Sequence, residues 1–428
     1  MNPGSDATAS PDSALPLSGI RVIEVSMLLN GATTTMHLAD MGADVIKIES
    51  PFLGDYIRLE HTMHLHTQVN KGKRSIALDL RNERGRQVLD ALLKTADVFV
   101  TNLLTPATKR LGISYDQLAV DHPGLVYCQI TGFGASGPYA TLPAHGQMMD
   151  AIAGTLPAET GPDGLARAKQ PPRVRSGSLS VAGESTAMGG IFGAFHIAAA
   201  LTRKAATRMG CYIDVSAANC ALASAWTSAV GQLNLPPERQ WWNREDAGRD
   251  GARYQFYRTS DDLYVMFCPE ERKFWAAFCD LVQRPDLMDR EAGYELRCEI
   301  QTIIGARPRD EWMKLALAHH LPLAPANEGM AEVRDDPQMR AREMLHDAPD
   351  PAGNPFTYLG QPSFIDGTPC GTFAPAPSLG QHTDDLLREI GYSQDDIEEL
   401  ARDSITSAPV VGDYIITSAQ DTTDNRAN

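Results

Sequence analysis

The sequence predicts an α/β protein built around a parallel sheet. Two observations support this prediction. Short apolar runs of strand length alternate with segments of helical periodicity through the first 140 residues, and a polar or glycine-containing turn follows each run. Strand–helix–strand units of this kind place their strands parallel, with the helices on the faces of the sheet.

The elements are expected in the following order. Strands are predicted at residues 20–26, 44–49, 75–80, 97–101, 125–131 and 211–216. Helices are predicted at 31–42, 83–95, 107–111, 145–154, 184–203 and from 217 to about 232, with a loop from about 155 to 180. The helix at 184–203 contains several glycines, which are poor helix formers and therefore indicate close packing or a ligand.

The second half of the chain predicts a smaller α+β region. Residues 236–256 are expected to be irregular, and a strand at 263–267 and helices at 271–283 and 309–318 follow them. The stretch 323–345 is expected to form a linker and a helix, and 377–400 a loop with two short helices. A domain boundary is therefore expected between the two halves.

Charge and composition exclude several classes of protein. The formal net charge is −16, so the surface repels nucleic acid and anionic membranes, and an anionic ligand needs a local basic patch. The first fifteen residues have neither the charge nor the apolar core of a signal peptide, and no run of eighteen apolar residues predicts a membrane span. The seven cysteines form no C-x-x-C pair, which favours free thiols in the cytoplasm.

Two sequence patterns suggest binding sites that the surrounding residues argue against. Gly132, Gly134 and Gly137 match the G-x-G-x-x-G dinucleotide pattern, but Pro138 follows and the next helix is expected only near residue 145. A tight turn that lines a pocket is the favoured interpretation. The histidines at 61, 64 and 66 lack a carboxylate or thiolate partner at ligand spacing, so surface histidines are expected rather than a metal site.

Two strand ends carry basic residues. Lys73 and Arg74 precede one strand, and Asn102 and Arg110 follow another. Ligands of open α/β sheets collect at the carboxyl ends of strands, so these residues predict a phosphate-binding region. A solvated turn is an equally good interpretation of the Lys73–Arg74 segment.

A carboxylate and a histidine are the candidate catalytic pair. Glu184 begins the small-residue helix, where an acidic residue often only interacts favourably with the helix dipole. His145 follows the glycine loop and could equally be structural. If both face one pocket, they suit proton transfer.

These segments together resemble the family III CoA-transferases, with the 2-methylacyl-CoA racemases as near relatives. The resemblance runs from about residue 16 to 403 and is carried by IRVIEVS with GADVIKIESP, NKGKRSIALDL, the N-x-x-x-P-x-x-x-R-L-G segment, GFGASGPY, GCYIDVS, APANEGMAEVRDDPQMRAREM and GQHTDDLLREIGYS. The combination and order of these motifs is specific, although no single motif is.

The resemblance implies a Rossmann-like large domain built from both chain ends, with a small α+β domain inserted and two subunits interlocked as a homodimer. The implied division is a large CoA-binding domain at 16–225 and 335–403 and a small domain with linkers at 226–334, with a disordered tail at 1–15 and a flexible tail at 404–428. CoA would lie along the large domain.

The resemblance also implies site residues. Leu28, Asn102, Leu103 and Arg110 match CoA-contacting positions, and Glu184 falls on the aspartate that acts as the transferase nucleophile. In the racemases a histidine opposes that carboxylate, and His145 falls on it. The residue after that histidine is often acidic in both groups but is glycine here. Supporting glutamates of the racemase small domain fall near Glu270 and Glu271.

Three functions are therefore weighed. The first is transfer of CoA between an acyl-CoA thioester and a carboxylic acid through an enzyme carboxylate, with no tightly bound cofactor and no metal. The second is racemisation of a 2-methylacyl-CoA by His145 and Glu184, with backbone N–H groups at 183–185 or 132–137 stabilising the enolate. The third is a non-catalytic acyl-CoA-binding subunit. Aromatic residues at 223–257 suggest a bulky apolar acyl chain.

Overall fold

A computed structural model describes residues 15–169, 183–239, 251–371 and 373–407. The described residues up to Ala225 form one compact unit together with those from Glu343 onward, and the residues from Trp226 to Arg342 form a second. The chain thus leaves the first unit, builds the second, and returns. In the first unit the prediction of an α/β fold around a parallel sheet is confirmed.

The sheet of the first unit has six strands. Its first five strands are β1 (Arg21–Val25), β2 (Asp44–Glu49), β3 (Arg74–Ala77), β4 (Val98–Thr101) and β5 (Val126–Thr131), a hairpin of β6 (Ala158–Thr160) and β7 (Ala166–Ala168) intervenes, and β8 (Cys211–Ser216) completes the sheet. The strand order is β3-β2-β1-β4-β5-β8 and every pairing is parallel. The order reverses at β1, so the carboxyl ends of β1 and β4 flank a crevice of the kind that binds ligands in open sheets.

Helices cover both faces of this sheet. Those of the first unit before its interruption are α1 (Asn30–Asp40), α2 (Met63–Val69), α3 (Glu83–Leu93), α4 (Thr105–Leu111), α5 (Tyr115–Asp121), α6 (Met148–Ile152), α7 (Glu184–Thr207) and α8 (Ala217–Ser224). One apolar layer includes Leu89, Leu92 and Phe99, and the other includes Val100, Ile130 and Ile197. The near-continuous apolar strands follow from this coverage, because both faces of the sheet are removed from water.

Helix α7 packs against α1 through its glycines. A Cβ atom on Gly190 would overlap the side chain of Thr33, and one on Gly193 would lie 2.7 Å from the hydroxyl of Thr34. The expected close packing at these glycines is confirmed. Among the described helices, α7 alone is long and apolar enough to cross a membrane, a test that the core helix of a folded domain also passes.

The second unit is a three-stranded sheet packed with helices. The chain enters it through α9 (Trp226–Asn234), continues through β9 (Gln255–Arg258), β10 (Tyr264–Phe267), α10 (Arg272–Leu281), α11 (Tyr294–Ile304), α12 (Arg309–His319) and β11 (Leu323–Pro325), and leaves through α13 (Met330–Asp335) and α14 (Pro337–Ala341). Its strands are antiparallel in the order β11-β10-β9. Its core combines aliphatic side chains with aromatic ones, among them Trp275, Phe278 and Trp312.

The returning segment closes the first unit. It contains two small hairpins, β12 (Leu345–Pro349) with β13 (Pro355–Leu359) and β14 (Phe364–Ile365) with β15 (Thr368–Pro369), and ends in α15 (Thr383–Glu389) and α16 (Gln394–Arg402). His382 and Thr383 accept hydrogen bonds from the backbone of Ser75 and Ala77 at the edge strand β3. The chain end therefore covers the outer strand of the sheet.

Three local expectations are wrong. The loop expected at 155–180 contains the β6–β7 hairpin, whose exposed polar residues give no apolar pattern. The helix expected at 217–232 is two helices separated at Ala225. His66 is not a surface histidine: α2 turns its apolar side toward α1, and His66 is 1 % exposed.

Candidate functional site

The carboxyl ends of the central strands form a cleft of about 350 Å³, here called the strand-end cleft. Its walls come from the ends of β1, β2, β3 and β4 and from the first residues after them: Val25–Met27, Ile48–Ser50, Leu53–Tyr56, Leu78–Arg81, Leu103, Ala107, Arg110 and Leu111. The parallel topology brings these four segments to one edge, which is where the sequence places a ligand.

A second cleft adjoins the first and holds about 580 Å³. We name it the histidine cleft; its lining residues are Leu28–Asn30, Tyr56, Ile57, Leu59, His61, Thr62, Leu65, Asn102, Ala144–Met149 and Thr186. Tyr56 lines both clefts, and the neighbouring pairs Met27–Leu28 and Asn102–Leu103 contribute one residue to each. One extended ligand can therefore occupy both.

The loop between the two clefts is held in an unusual backbone conformation. Leu28 has φ = 62°, in the left-handed region that is costly for a branched side chain. The side chain of Asn102 accepts a hydrogen bond from the Met27 N–H at 3.0 Å and donates one to the Met27 carbonyl. Asp55 accepts a hydrogen bond from the Leu28 N–H at 2.9 Å. Asn102 and Asp55 thus fix the loop between the clefts.

A buried network of charged side chains is connected to this loop through Asp55. Lys47 lies 2.7 Å from a carboxylate oxygen of Glu24 and 2.9 Å from one of Asp55, and Lys73 lies 2.9 Å from the other oxygen of Glu24. Burial alone would raise the pKa of Glu24, but the charges of Lys47 and Lys73 hold it well below its ordinary value. Burial opposes the charge of Lys47 too, yet Glu24 and Asp55 raise its pKa. Asp55 thus contacts both the Leu28 N–H and the side chain of Lys47.

Lys73 and Arg74, which the sequence predicts at a phosphate, are engaged by groups of the fold. Lys73 is buried and donates to Glu24, to the carbonyl of Ala32 and to the side chain of Asn70, which uses all three of its protons. Burial lowers its pKa to about 8. Arg74 bridges Asp44 and Glu389. Both basic side chains are paired with carboxylates that are distant in the sequence, and these pairs stabilise the fold.

Arg110 and Leu103 both line the strand-end cleft. Arg110 is exposed on α4 at the strand-end cleft, and it makes no ion pair with a carboxylate in the part of the chain that the structure describes. Leu103 packs against the core and its carbonyl accepts a hydrogen bond from Gln129. Arg81, which the sequence did not single out, also lines this cleft, but Asp79 pairs with it.

Glu184 occupies the first position of α7 and is exposed. Its carboxylate lies 3.4 Å from the hydroxyl of Ser224 at the end of α8. The next residue, Ser185, is fully buried: its N–H and its hydroxyl donate to the two oxygens of Asp150 at 3.0 and 2.6 Å. Gly183 permits this approach, because a Cβ atom there would overlap the Asp150 carboxylate.

Asp150 is a site residue that sequence reasoning missed. It lies on the inward side of α6 and is 4 % exposed, so its carboxylate caps α7 from outside the helix. No spacing rule links residues 35 positions apart. The one local signal for Asp150 is that an acidic residue stands at an inward position of a predicted helix. The Ser185 N–H, expected as an oxyanion donor, is already used by Asp150.

His145 lies in the histidine cleft together with Thr186 of the first turn of α7. Its side chain is exposed, and Gly146 follows it with φ = 50°. The structure thus brings His145 to the cleft that borders the helix start carrying Glu184. Among the described residues, no group of three His, Cys, Asp or Glu side chains is placed to hold a metal ion.

The glycine loop borders the site without forming its floor. Gly132 packs against Ala144 and Met149 of the histidine cleft wall. Gly134 lines a separate cavity of about 340 Å³ beside β8, and Gly137 has open space around it.

The candidates of the second unit are distributed differently. Glu270 and Glu271 are exposed, and Glu271 immediately precedes α10. Tyr257 is buried in that unit's core, whereas Trp226 and Tyr254 are exposed. The aromatic residues Trp241 and Trp242 lie outside the described residues. The described aromatic side chains of this stretch are therefore not gathered in one place.

Comparison with known proteins assigns a family to this arrangement. Residues 17–383 match the family model described as CoA-transferase family III. The chain is 28 % identical to the succinyl-CoA:glutarate CoA-transferase of Mus musculus over 91 % of this chain and 90 % of that protein. It is 27 % identical to the cinnamoyl-CoA:phenyllactate CoA-transferase of Clostridium sporogenes over 90 % and 96 % of the two chains.

A solved structure agrees with these relatives. The crystal structure of a CAIB/BAIF family protein from Brucella suis superposes with a TM-score of 0.69 at 27 % identity, covering 88 % of this chain and all of that one. Parallel sheet, strand-end cleft, sequence match and structural likeness lead to one conclusion: the chain belongs to CoA-transferase family III.

Proposed function

We propose that this CoA-transferase moves coenzyme A from an acyl-CoA thioester to a free carboxylate through a covalent intermediate on Glu184. The observation that carries the proposal is the anchored first turn of α7. Asp150 holds Ser185 rigidly, and the adjacent Glu184 carboxylate is exposed beside the cleft that contains His145 and Thr186. A fixed backbone with an accessible carboxylate suits a nucleophile.

The proposed steps balance without any further reagent. The Glu184 carboxylate attacks the thioester carbonyl and expels CoA thiolate, which leaves an acyl–glutamyl anhydride. The thiolate attacks the glutamyl carbonyl, releases the first carboxylic acid as its anion, and forms a glutamyl-CoA thioester. The acceptor carboxylate repeats the exchange in reverse order, so that the new acyl-CoA leaves and the Glu184 carboxylate is restored.

The adenosine phosphates of CoA would lie in the strand-end cleft, with the pantetheine arm crossing the loop at Leu28 toward the histidine cleft. Arg110 supports this placement because it is a cation at the cleft without an ion pair among the described residues. Replacing Arg110 by alanine should weaken CoA binding about tenfold and reduce its dependence on salt. Unchanged binding and unchanged salt dependence would place the phosphates elsewhere.

Mass spectrometry of the intact protein tests the covalent route. After incubation with acyl-CoAs and trapping with hydroxylamine or borohydride, the adduct should map to Glu184 and be absent from Glu184→Gln, while Glu398→Gln on the exposed face of α16 should behave as wild type. An adduct on another carboxylate would overturn the assignment. The relatives' names support an enzyme rather than a non-catalytic binding subunit.

Racemisation of a 2-methylacyl-CoA is a second candidate, favoured by the place of His145 in the cleft bordering α7. It requires exchange of the α-proton and no adduct. Deuterium uptake at the substrate α-carbon in heavy water, lost in His145→Ala, would establish it. A trapped adduct without deuterium uptake establishes transfer instead.

We also propose a homodimer. Ile191 and Phe195, one turn apart on α7, and Leu222 on α8 are large apolar side chains with 46, 63 and 45 % of their surface exposed. Apolar surface of this kind is typical of an obligate interface. Sedimentation should give a dimer, and Phe195→Glu should give monomer. A monomeric wild-type protein at micromolar concentration would contradict this proposal.

A further inference from the structure

We propose that the histidine cleft binds the acyl group of the thioester and selects apolar monocarboxylic acyl groups over dicarboxylic ones. This inference rests on the proposed function and names its substrate class. The family relatives do not decide the question, since their names include both a dicarboxylic acid and an aromatic one.

The position of the cleft assigns it to the acyl group. It adjoins the strand-end cleft at Tyr56 and at the Leu28 loop, so a thioester whose nucleotide occupies the strand ends directs its acyl part there. Thr186, two residues beyond Glu184, lines its wall. The first turn of α7, which carries Glu184, therefore borders this cleft, and we place the acyl chain of a thioester bound at Glu184 inside it.

The lining of the cleft sets the preference. Its walls carry the side chains of Leu29, Ile57, Leu65, Met148 and Met149, which suit an aliphatic or aromatic chain, and methionine adapts to irregular shapes. Its polar residues are Asn, Gln, Thr, Tyr and His, and none of the described lining residues is a lysine or arginine. A second carboxylate would enter the cleft without a permanently charged partner.

Among the described residues, three cations of the segments that line or adjoin the cleft are paired within the fold. Arg58, in the turn that also carries Tyr56 and Ile57, donates to both oxygens of Glu49 and to the carbonyl of Pro377. Lys47 and Lys73 are buried beneath the Leu28 loop and paired with carboxylates. Removing a carboxylate from water without a compensating cation is costly, whereas each methylene placed in an apolar cleft strengthens binding.

Binding to Glu184→Gln measures the preference with the thioester kept intact. Pentanoyl-CoA and glutaryl-CoA have acyl chains of equal carbon number and differ in the terminal methyl or carboxylate. Calorimetry at pH 8, where histidine side chains generally carry little charge, should give pentanoyl-CoA at least tenfold tighter binding. The series from propanoyl- to hexanoyl-CoA should gain about fourfold per methylene. Equal binding, or tighter binding of glutaryl-CoA, would overturn the inference, as would failure of every acyl-CoA to bind more tightly than CoA itself.

A charge-introducing variant tests the location. Leu59 lines the cleft and is half exposed, so Leu59→Arg can be accommodated by the fold. It should raise the affinity for glutaryl-CoA at least tenfold relative to pentanoyl-CoA. Val120→Arg, on the exposed face of α5 outside both clefts, is the matched control and should leave the ratio unchanged. If the affinity ratio of glutaryl-CoA to pentanoyl-CoA shifts equally in both variants, the acyl group does not bind in this cleft.

The outcomes separate this inference from the proposed function. Trapped Glu184 adducts with a preference for glutaryl-CoA would keep the transferase and refute the acyl selectivity. Selective binding of pentanoyl-CoA with no adduct from any thioester would keep the selectivity and refute the covalent route.

Discussion

The contact between Asp150 and Ser185 makes a sharp prediction about how Glu184 is positioned. Asp150→Ala removes the acceptor of two hydrogen bonds at the buried start of α7. Leaving the buried N–H unpaired costs about 1–3 kcal/mol, and loss of the hydrogen bond from the Ser185 hydroxyl costs about 1 kcal/mol. We therefore expect the free energy of unfolding to fall by about 2–4 kcal/mol, measured by urea denaturation.

Activity should fall in the same variant for a geometric reason. A displacement of about 1 Å at a reacting group can lower a rate about 100-fold, so kcat should fall by that order while KM for the CoA thioester changes little, because the strand-end cleft is untouched. Asp150→Asn keeps an acceptor for the Ser185 N–H and should recover most of kcat, losing about 0.3–1 kcal/mol of helix-dipole interaction.

The control and the refuting results are direct. Asp121→Ala, at the exposed end of α5, should change neither stability nor kcat. If Asp150→Asn loses as much kcat as Asp150→Ala, the charge of Asp150 acts in the chemistry and its role is not positional. If Asp150→Ala keeps wild-type kcat, the first turn of α7 does not depend on this contact.

Three further predictions concern the fold. Burial lowers the pKa of His66 to about 3. Its side chain therefore stays neutral in the folded protein, whereas in the unfolded chain it binds a proton below about pH 6.5. The free energy of unfolding should therefore fall as the pH falls from 6.5 toward 3, by up to about 1.4 kcal/mol per pH unit. The urea midpoint of His66→Leu should lack this part of the dependence on pH. An equal dependence on pH in the variant and the wild type would contradict the prediction. Lys47→Met leaves Glu24 without one buried partner and should cost about 3–5 kcal/mol at pH 7; a loss below 1 kcal/mol in the same assay would mean that the network is hydrated. Gly190→Ala should cost about 1–3 kcal/mol by overlap with Thr33, and Thr33→Ser should recover part of that loss if the overlap is its cause.

The sequence predicts the parallel sheet well because both of its faces are buried. Strands such as β4 and β5 are then mostly apolar runs without alternation, which local pattern detects. The β6–β7 hairpin escapes the same reasoning, because its six residues are polar or small and almost all exposed. Its pairing is set by the turn at 161–165 and not by an apolar face.

The residues of the candidate site also fall into those that local sequence predicts and those that it does not. Asn102 and Arg110 follow a strand directly, so topology alone brings them to the cleft. Lys73 is also beside a strand, yet its partner Glu24 is 49 residues away and converts an apparent surface cation into a core residue. Local sequence reports which groups are charged, but burial and pairing depend on contacts between distant segments.

The interrupted first unit has a consequence for synthesis on the ribosome. Its core includes Ile23 in an early strand and Leu386, Leu400 and Ile405 in or just after the last helices, whereas the described buried core of the second unit lies between Ala252 and Leu323. A nascent chain therefore holds all of the second unit's core before the first unit can be completed. Until its last helices emerge, the sheet exposes apolar surface that other chains can bind, so the unit begun first is the one that depends longest on protection from aggregation.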